Sequence, residues 1–408
     1  LRSAEAYAKD GLRSHHGLPR LLYGGRFPDV GTIIDHLDKD GLVKPVFRAG
    51  FPDNMAKRDD WVYTHYPPGP NWLCGVMARC FGMEHIRYFR LLPLSLGLFA
   101  TVIFFKSSAG VFGADRAALI AGACAVLPMF HTCMPGLHYE GYSFALLLLQ
   151  FSLLIGLLWN GKQGLWHWPA LFLFGFAQGW LSFDQFFIIT LISWPLWLLR
   201  RAEGARPSIQ WLIMTAALPC AGFGLAHFLH LAQVAAELGG WQRAIQEFTR
   251  TAAERAGQAD LPSPPFLEML LRHVPVGSGY FRSLALGGYF YLRQVLILRG
   301  PYFGPFMIAA IVAALLVLCF RQSRVAVPIW GNSWRTSWTL SWPGPKRPWL
   351  ALAAALFVSL IWWLFMAGHV AGNAHVTVRH IFVFYLLLVL VVVKSISVTK
   401  EQDRPAYN

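Results

Sequence analysis

From residue 91 onward the chain is built of long apolar runs separated by short polar connections. Residues 91–105, 117–130, 142–159, 168–180, 186–199, 209–236, 301–320, 349–367 and 381–393 are each nearly free of charge. Several approach the ~20 residues that cross a hydrocarbon core, and the shorter ones gain length from uncharged flanks. None alternates with period two, so the runs predict α-helices and not barrel strands. In lipid only those two structures satisfy their own backbone groups. The expected fold is an all-α polytopic membrane protein with about nine visible spans.

The polar segments divide the remainder. Residues 1–87 are rich in Gly, Pro and His, with short helical patterns at 4–14 and 32–40, too much patterned sequence for a linker. Spans are expected over 88–232. A second large polar segment occupies 233–299, with amphipathic patches at 241–256 and 265–273 and an aromatic, apolar end at 280–298 suited to the interface or to part of another span. Further spans are expected over 300–396, interrupted at 321–348 by a basic loop carrying Trp330, Trp334, Trp338 and Trp342, and residues 397–408 form a tail. No internal repeat is visible, which argues against an inverted-repeat transporter.

Composition sharpens this picture. Hydrophobic residues make up 55% of the 408 residues and charged ones only 14%, far fewer than a soluble protein carries. The net charge of +14 would suggest nucleic acid in a soluble chain, but its distribution speaks for topology. If the spans alternate, one side collects Lys106, Arg116, Lys162, Arg200, Arg201, Arg206, the basic loop and Lys394, Lys400 and Arg404. The opposite short connections, at 131–141, at Asp184 and at 369–378, hold almost no Lys or Arg. By the positive-inside rule the C-terminus is cytoplasmic, the two large polar segments are extracytoplasmic, and nucleic acid is not a partner. The sequence begins at Leu1 without a signal-like apolar stretch, so an upstream membrane helix is expected to carry residues 1–87 across. Six Cys are scattered without metal spacing; Cys74 and Cys80 could pair, although free buried thiols are expected. His15, His16, His36, His65 and His85 show no HxxxH or HExxH spacing, so a divalent metal stays open but without support from ligand spacing. His227 and His230 share a helix face and are expected to hydrogen-bond locally.

The most informative string runs Tyr63, Thr64, His65, Tyr66, Pro67, Pro68, Gly69, Pro70, Asn71, Trp72. Paired prolines forbid helix before them, and Gly69 permits a sharp reversal ahead of the apolar 72–78. Read by itself, the string is a rigid aromatic entry turn at the membrane surface. Pro28 and Asp29 precede a short helical pattern containing Asp35, where Asp29 also suits a helix N-cap. His138, Tyr139 and Glu140 enter one span, and Arg379 and His380 open the last.

Together these features resemble the GT-C glycosyltransferases, especially the protein O-mannosyltransferase and lipid A aminoarabinose transferase branch. That family places an acid in its first outside loop, then a Pro-Pro turn roughly 30–40 residues on, then a membrane helix. The resemblance implies a GT-C-like fold and inverting transfer of a sugar from a polyprenyl-phosphate carrier to an extracytoplasmic acceptor. It implies Asp29 as the base, with Glu5 and Asp35 as alternatives and Glu140 as a second carboxylate. It assigns the substrate to His65, Tyr66, His138, Tyr139 and His380, and the departing phosphate to Arg379 with Arg293 or Arg299. Tyr66 stands where the family often has Lys, and Val30 where it often has a second acid. The implied setting is a bacterial inner membrane, with membrane lipids and the lipid-linked sugar as partners and room for other membrane proteins. The competing readings are a transporter or flippase, and a catalytically silent subunit of a membrane complex. The spans hold Pro128, Pro195 and Pro219 but few central charges, so an ion pathway lacks support.

Overall fold

The apolar runs fold as helices in a computed structural model, which describes residues 16, 18, 20–22, 60–62, 67–133, 139–161, 164–182, 185–257, 279–296, 303–319, 326–329, 336–340, 348–368, 370 and 378–400. Two short strands, β1 (Arg20–Leu22) and β2 (Asp60–Val62), pair antiparallel ahead of the helices. Then come α1 (Gly69–Phe81), a 3-10 segment (Met83–Arg90), α2 (Leu91–Phe112), α3 (Ala114–Ala125), α4 (Pro128–Cys133), α5 (Tyr139–Asn160), α6 (His167–Leu181), α7 (Phe186–Leu191) and α8 (Ser193–Ala202). Next follow α9 (Ile209–Leu238), α10 (Trp241–Gly257), α11 (Gly279–Leu296) and α12 (Pro305–Cys319). Strands β3 (Ala326–Ile329) and β4 (Thr336–Leu340), α13 (Pro348–Phe365), a 3-10 turn (Val378–Ile381), α14 (Phe382–Ser395) and β5 (Ile396–Lys400) complete the order.

Four helical stretches among the described residues are long and apolar enough to cross a membrane: Tyr88–Phe112, Glu140–Asn160, Ile209–Leu238 and Pro348–Phe365. They support a multi-pass membrane chain. The others are shorter for local reasons. The run 186–199 breaks at Ile192 because Pro195 has no N–H and its ring opposes the carbonyl of Leu191. The run 117–130 breaks ahead of Pro128, which opens α4. The patch at 241–256 becomes α10, and the aromatic stretch 280–298 becomes α11. The patterns at 4–14, 32–40 and 265–273 lie outside the described residues.

Helix α5 is the centre of the bundle, buried along nearly its whole length. It packs on α2, α6 and α8, while α14 closes the other side against α12 and α13. Helices α6 and α9 make the most extensive helix–helix contact among the described residues. A Cβ on Gly175 would strike the backbone of Pro219, and one on Gly222 the carbonyl of Phe172, so only hydrogen fits at either position. One turn on, Gly179 lies against Ala226, where an added Cβ would stand 2.9 Å from the alanine methyl. Small residues at four-residue spacing let two membrane helices meet backbone to backbone, because dispersion and not water drives their association.

One end of the bundle is clamped by a single carboxylate. Glu203, just beyond α8, accepts from Trp159 Nε1 at 2.9 Å, pairs with Arg200 at 3.0 Å, and pairs with Lys394 at the end of α14. The Lys394 ammonium also lies over the rings of Trp159 and Phe112, at 4.5 and 4.9 Å. The C-terminal ends of α2, α5, α8 and α14 therefore meet at one place. The region read as a basic loop and a tail is partly sheet: β4 pairs with β3 and with β5, Trp338 opposite Val398. That pairing requires the connection between α12 and α13 to lie on the same side as the end of α14.

Candidate functional site

The opposite end of α5 carries the acid of the segment 138–142. Glu140 is the second residue of α5, where a carboxylate is favoured by the exposed N–H groups and the helix dipole. Beneath it the helix turns apolar at once: Tyr142 and Phe144 are buried, and Phe144 meets Phe130 and Phe382 edge to face at 6.0 and 4.8 Å. Gln178 of α6 donates to the carbonyl of Ser143 at 3.0 Å, fixing the end of α6 beside the start of α5.

Arg379 reaches this point from the far end of the sequence. It sits in the 3-10 turn that opens α14, a turn packed among α11, α13 and α14. Its Nη1 lies 3.2 Å from Glu140 Oε1. The two partners are unequal in exposure: the arginine side chain is 4% exposed and the glutamate 23%. The cation is thus held inside the protein and the carboxylate opens toward the surface. His380 follows, fully buried, its ring edge to face with Trp362 at 5.8 Å.

The Pro-Pro segment docks at the same end. Pro67, Pro68, Gly69 and Pro70 are all buried, and α1 begins at Gly69 immediately after Pro68. The expected sharp reversal at Gly69 is replaced by a helix start with proline in its first turn. The glycine is needed for space instead: a Cβ there would strike the carbonyl of Trp180 and stand 2.9 Å from Leu181 Cδ2. Trp72 seals the contact edge to face with Trp180 at 5.2 Å. The segment therefore sits on the C-terminal end of α6, which Gln178 ties to the start of α5.

Of the residues singled out in the sequence, Glu140 and Arg379 are brought into contact, with His380 adjacent in the chain. Tyr139 opens α5, and Arg293 is exposed on α11. Glu5, Asp29, Asp35, His65, Tyr66, His138 and Arg299 lie outside the described residues, as does Asp184. Trp362 and Gln178 escaped the sequence reading, since an indole or amide inside an apolar run carries no local signal of its partner. Cys74 and Cys80 are not bonded to each other; Cys74 is buried, as expected of a free thiol, and Cys80 is exposed. His227 does bond locally, to the Phe223 carbonyl at 3.2 Å. Among the described residues no three His, Cys, Asp or Glu side chains gather as a metal site. No family model, curated protein or solved structure matches the chain.

Proposed function

We propose that the chain is a multi-pass membrane glycosyltransferase of GT-C-like architecture, transferring a sugar from a polyprenyl-phosphate donor to an extracytoplasmic acceptor with inversion. In this reading the shorter apolar helices also lie within the membrane, giving about nine spans, and the Glu140 end of α5 faces outward. The observation that carries the proposal is the Glu140–Arg379 pair at the end where the Pro-Pro segment docks. Transfer requires a cation for the departing phosphate and a base for the attacking hydroxyl. Glu140, held 3.2 Å from Arg379, is assigned to orienting that cation and Asp29 to the base, with Glu5 and Asp35 behind it. The acceptor oxygen attacks the anomeric carbon, its proton passes to the carboxylate, and the carbon–oxygen bond to phosphate breaks. Arg379 presents five N–H donors in a planar fork, and its Nη1 faces Glu140 Oε1 at 3.2 Å.

The test is transfer from radiolabelled polyprenyl-phosphate mannose by chain reconstituted in liposomes. Asp29→Asn is expected to abolish product while donor binding persists, and Arg379→Lys to weaken donor binding. Full transfer by the Asn variants at 29, 5 and 35 alike would overturn the assignment of the base. The burial of Arg379 favours a second reading, a catalytically silent subunit that retains the pair for stability alone. It predicts neither transfer nor donor binding by the unaltered chain.

A further inference from the structure

Helix α10 has two faces that want different solvents. Ala244 is buried against Val234 and Ala235 of α9 and against Leu18. Beside it on the helical wheel run Trp241, Ile245 and Phe248, spaced i, i+4, i+7, and these are 48%, 52% and 50% exposed. The other half of the first turns is polar: Gln242, Arg243, Gln246 and Thr249 are exposed, and Arg243 bonds back to the Leu238 carbonyl at 3.1 Å. A water-facing helix has no reason to present three large apolar side chains in line.

Two observations say what covers them. The connection from α9 to α10 is only Gly239 and Gly240. Gly239 takes the left-handed conformation (φ 75°, ψ 28°) that stops α9 and turns the chain. Two residues cannot carry α10 away from the membrane surface at which α9 ends. The apolar stripe also continues the exposed face of α9: the Trp241 ring stacks on Phe228, 56% exposed, with centroids 5.8 Å apart and planes at 22°. Leu225 and Leu229 extend that face along the span. The environment of Phe228 is therefore that of Trp241.

We propose that α10 is an interfacial helix, lying on the leaflet at the C-terminal end of α9 with Trp241, Ile245 and Phe248 inserted among the lipid chains. Its polar half faces water, and Trp241 marks the headgroup boundary, where indoles concentrate. This rests on α9 spanning the membrane and is independent of the transferase reading.

Spin labels at single cysteines test it, in a chain otherwise freed of cysteine and held in phosphatidylethanolamine/phosphatidylglycerol nanodiscs. Labels replacing Ile245 and Phe248 should relax with dissolved oxygen and be shielded from an aqueous nickel chelate. Labels replacing Gln246 and Thr249 should show the reverse ratio. Labels replacing Ile213 and Leu225 on α9 report the span itself. If they read lipid while 245 and 248 read water, or are shielded from both reagents by a protein cover, the proposal falls and the span stands. If 213 and 225 also read water, the membrane reading falls with it. Should the cysteine-free chain fail to fold, a phospholipid carrying a diazirine in its acyl chain is photolysed with the unaltered protein. Label on peptides spanning 241–248 supports insertion, and its absence while α9 peptides are labelled overturns it.

Discussion

Glu140 and Trp159 mark the two ends of α5, about 28 Å apart at 1.5 Å per residue; each end holds a carboxylate against a cation, but they are built differently. At the Trp159 end one glutamate serves two cations and an indole, and rings of Trp159 and Phe112 cover Lys394. That group is a knot: every partner comes from a helix end, and its effect is to hold those ends together. At the Glu140 end one carboxylate meets one guanidinium, the cation is buried and the anion opens to the surface. The lesson is that the same charge chemistry differs in build by how many partners share the carboxylate and which of them reaches water.

The sharpest way to break the comparison is to remove one partner at the Glu140 end. Glu140→Ala leaves the Arg379 guanidinium buried without that counter-charge, which is expected to cost about 3–5 kcal/mol. Arg379→Met keeps the volume and leaves a carboxylate that can turn to water, so it should cost clearly less. Thermal unfolding in detergent measures both. Equal and small losses would show that the pair carries no strain of burial and would remove the distinction drawn between the two ends.

At the other end the expected loss is smaller and symmetric. Glu203→Ala removes an acceptor from Trp159, Arg200 and Lys394, whose cations lie near enough to the surface to gain some solvation. A loss of about 2–3 kcal/mol follows from charged hydrogen bonds of this kind. Glu203 and Lys394 should couple in a double-mutant cycle by about 0.5–3 kcal/mol. Transfer per folded molecule should be unchanged, in contrast to the Arg379 variants. A Glu203 variant of full stability but lost transfer would reverse the roles assigned to the two ends.

Much of this arrangement was legible in the sequence one member at a time. Continuous apolar runs announced helices because a lipid solvent leaves the backbone no alternative, and each run does contain helix. Glu140 and Arg379 were each visible as charged residues at span ends. Their pairing was not, because no periodicity links positions so far apart in the chain. Glu203 was hidden among the arginines that marked sidedness, where a lone acid looks like ordinary surface. The small-residue spacing of Gly175 and Gly179 was present but silent until α9 supplied Gly222 and Ala226 opposite. Strands β4 and β5 carried the β-branched composition of strands, yet read as loop and tail because each needs the other as partner.

Gly69 and Cys74 give the finest comparison, because both lie on the segment docked at the Glu140 end. Gly69→Ala forces a methyl against the Trp180 carbonyl, an overpacking expected to cost about 1–3 kcal/mol. Undocking α1 should be visible before the bundle unfolds. Cys74 reports it: burial pushes its thiol above the ordinary cysteine value, so little thiolate forms near neutral pH. In the unaltered chain Cys80, exposed on the same helix, should react with a maleimide roughly tenfold or more faster than Cys74. Gly69→Ala should raise the Cys74 rate toward that of Cys80, because a loosened α1 lets water and reagent reach the sulfur. Glu203→Ala, acting at the far end of α5, should leave the Cys74 rate where it was. Equal acceleration by both substitutions would mean that the two ends open together, and the clamp and the site would then be one cooperative unit.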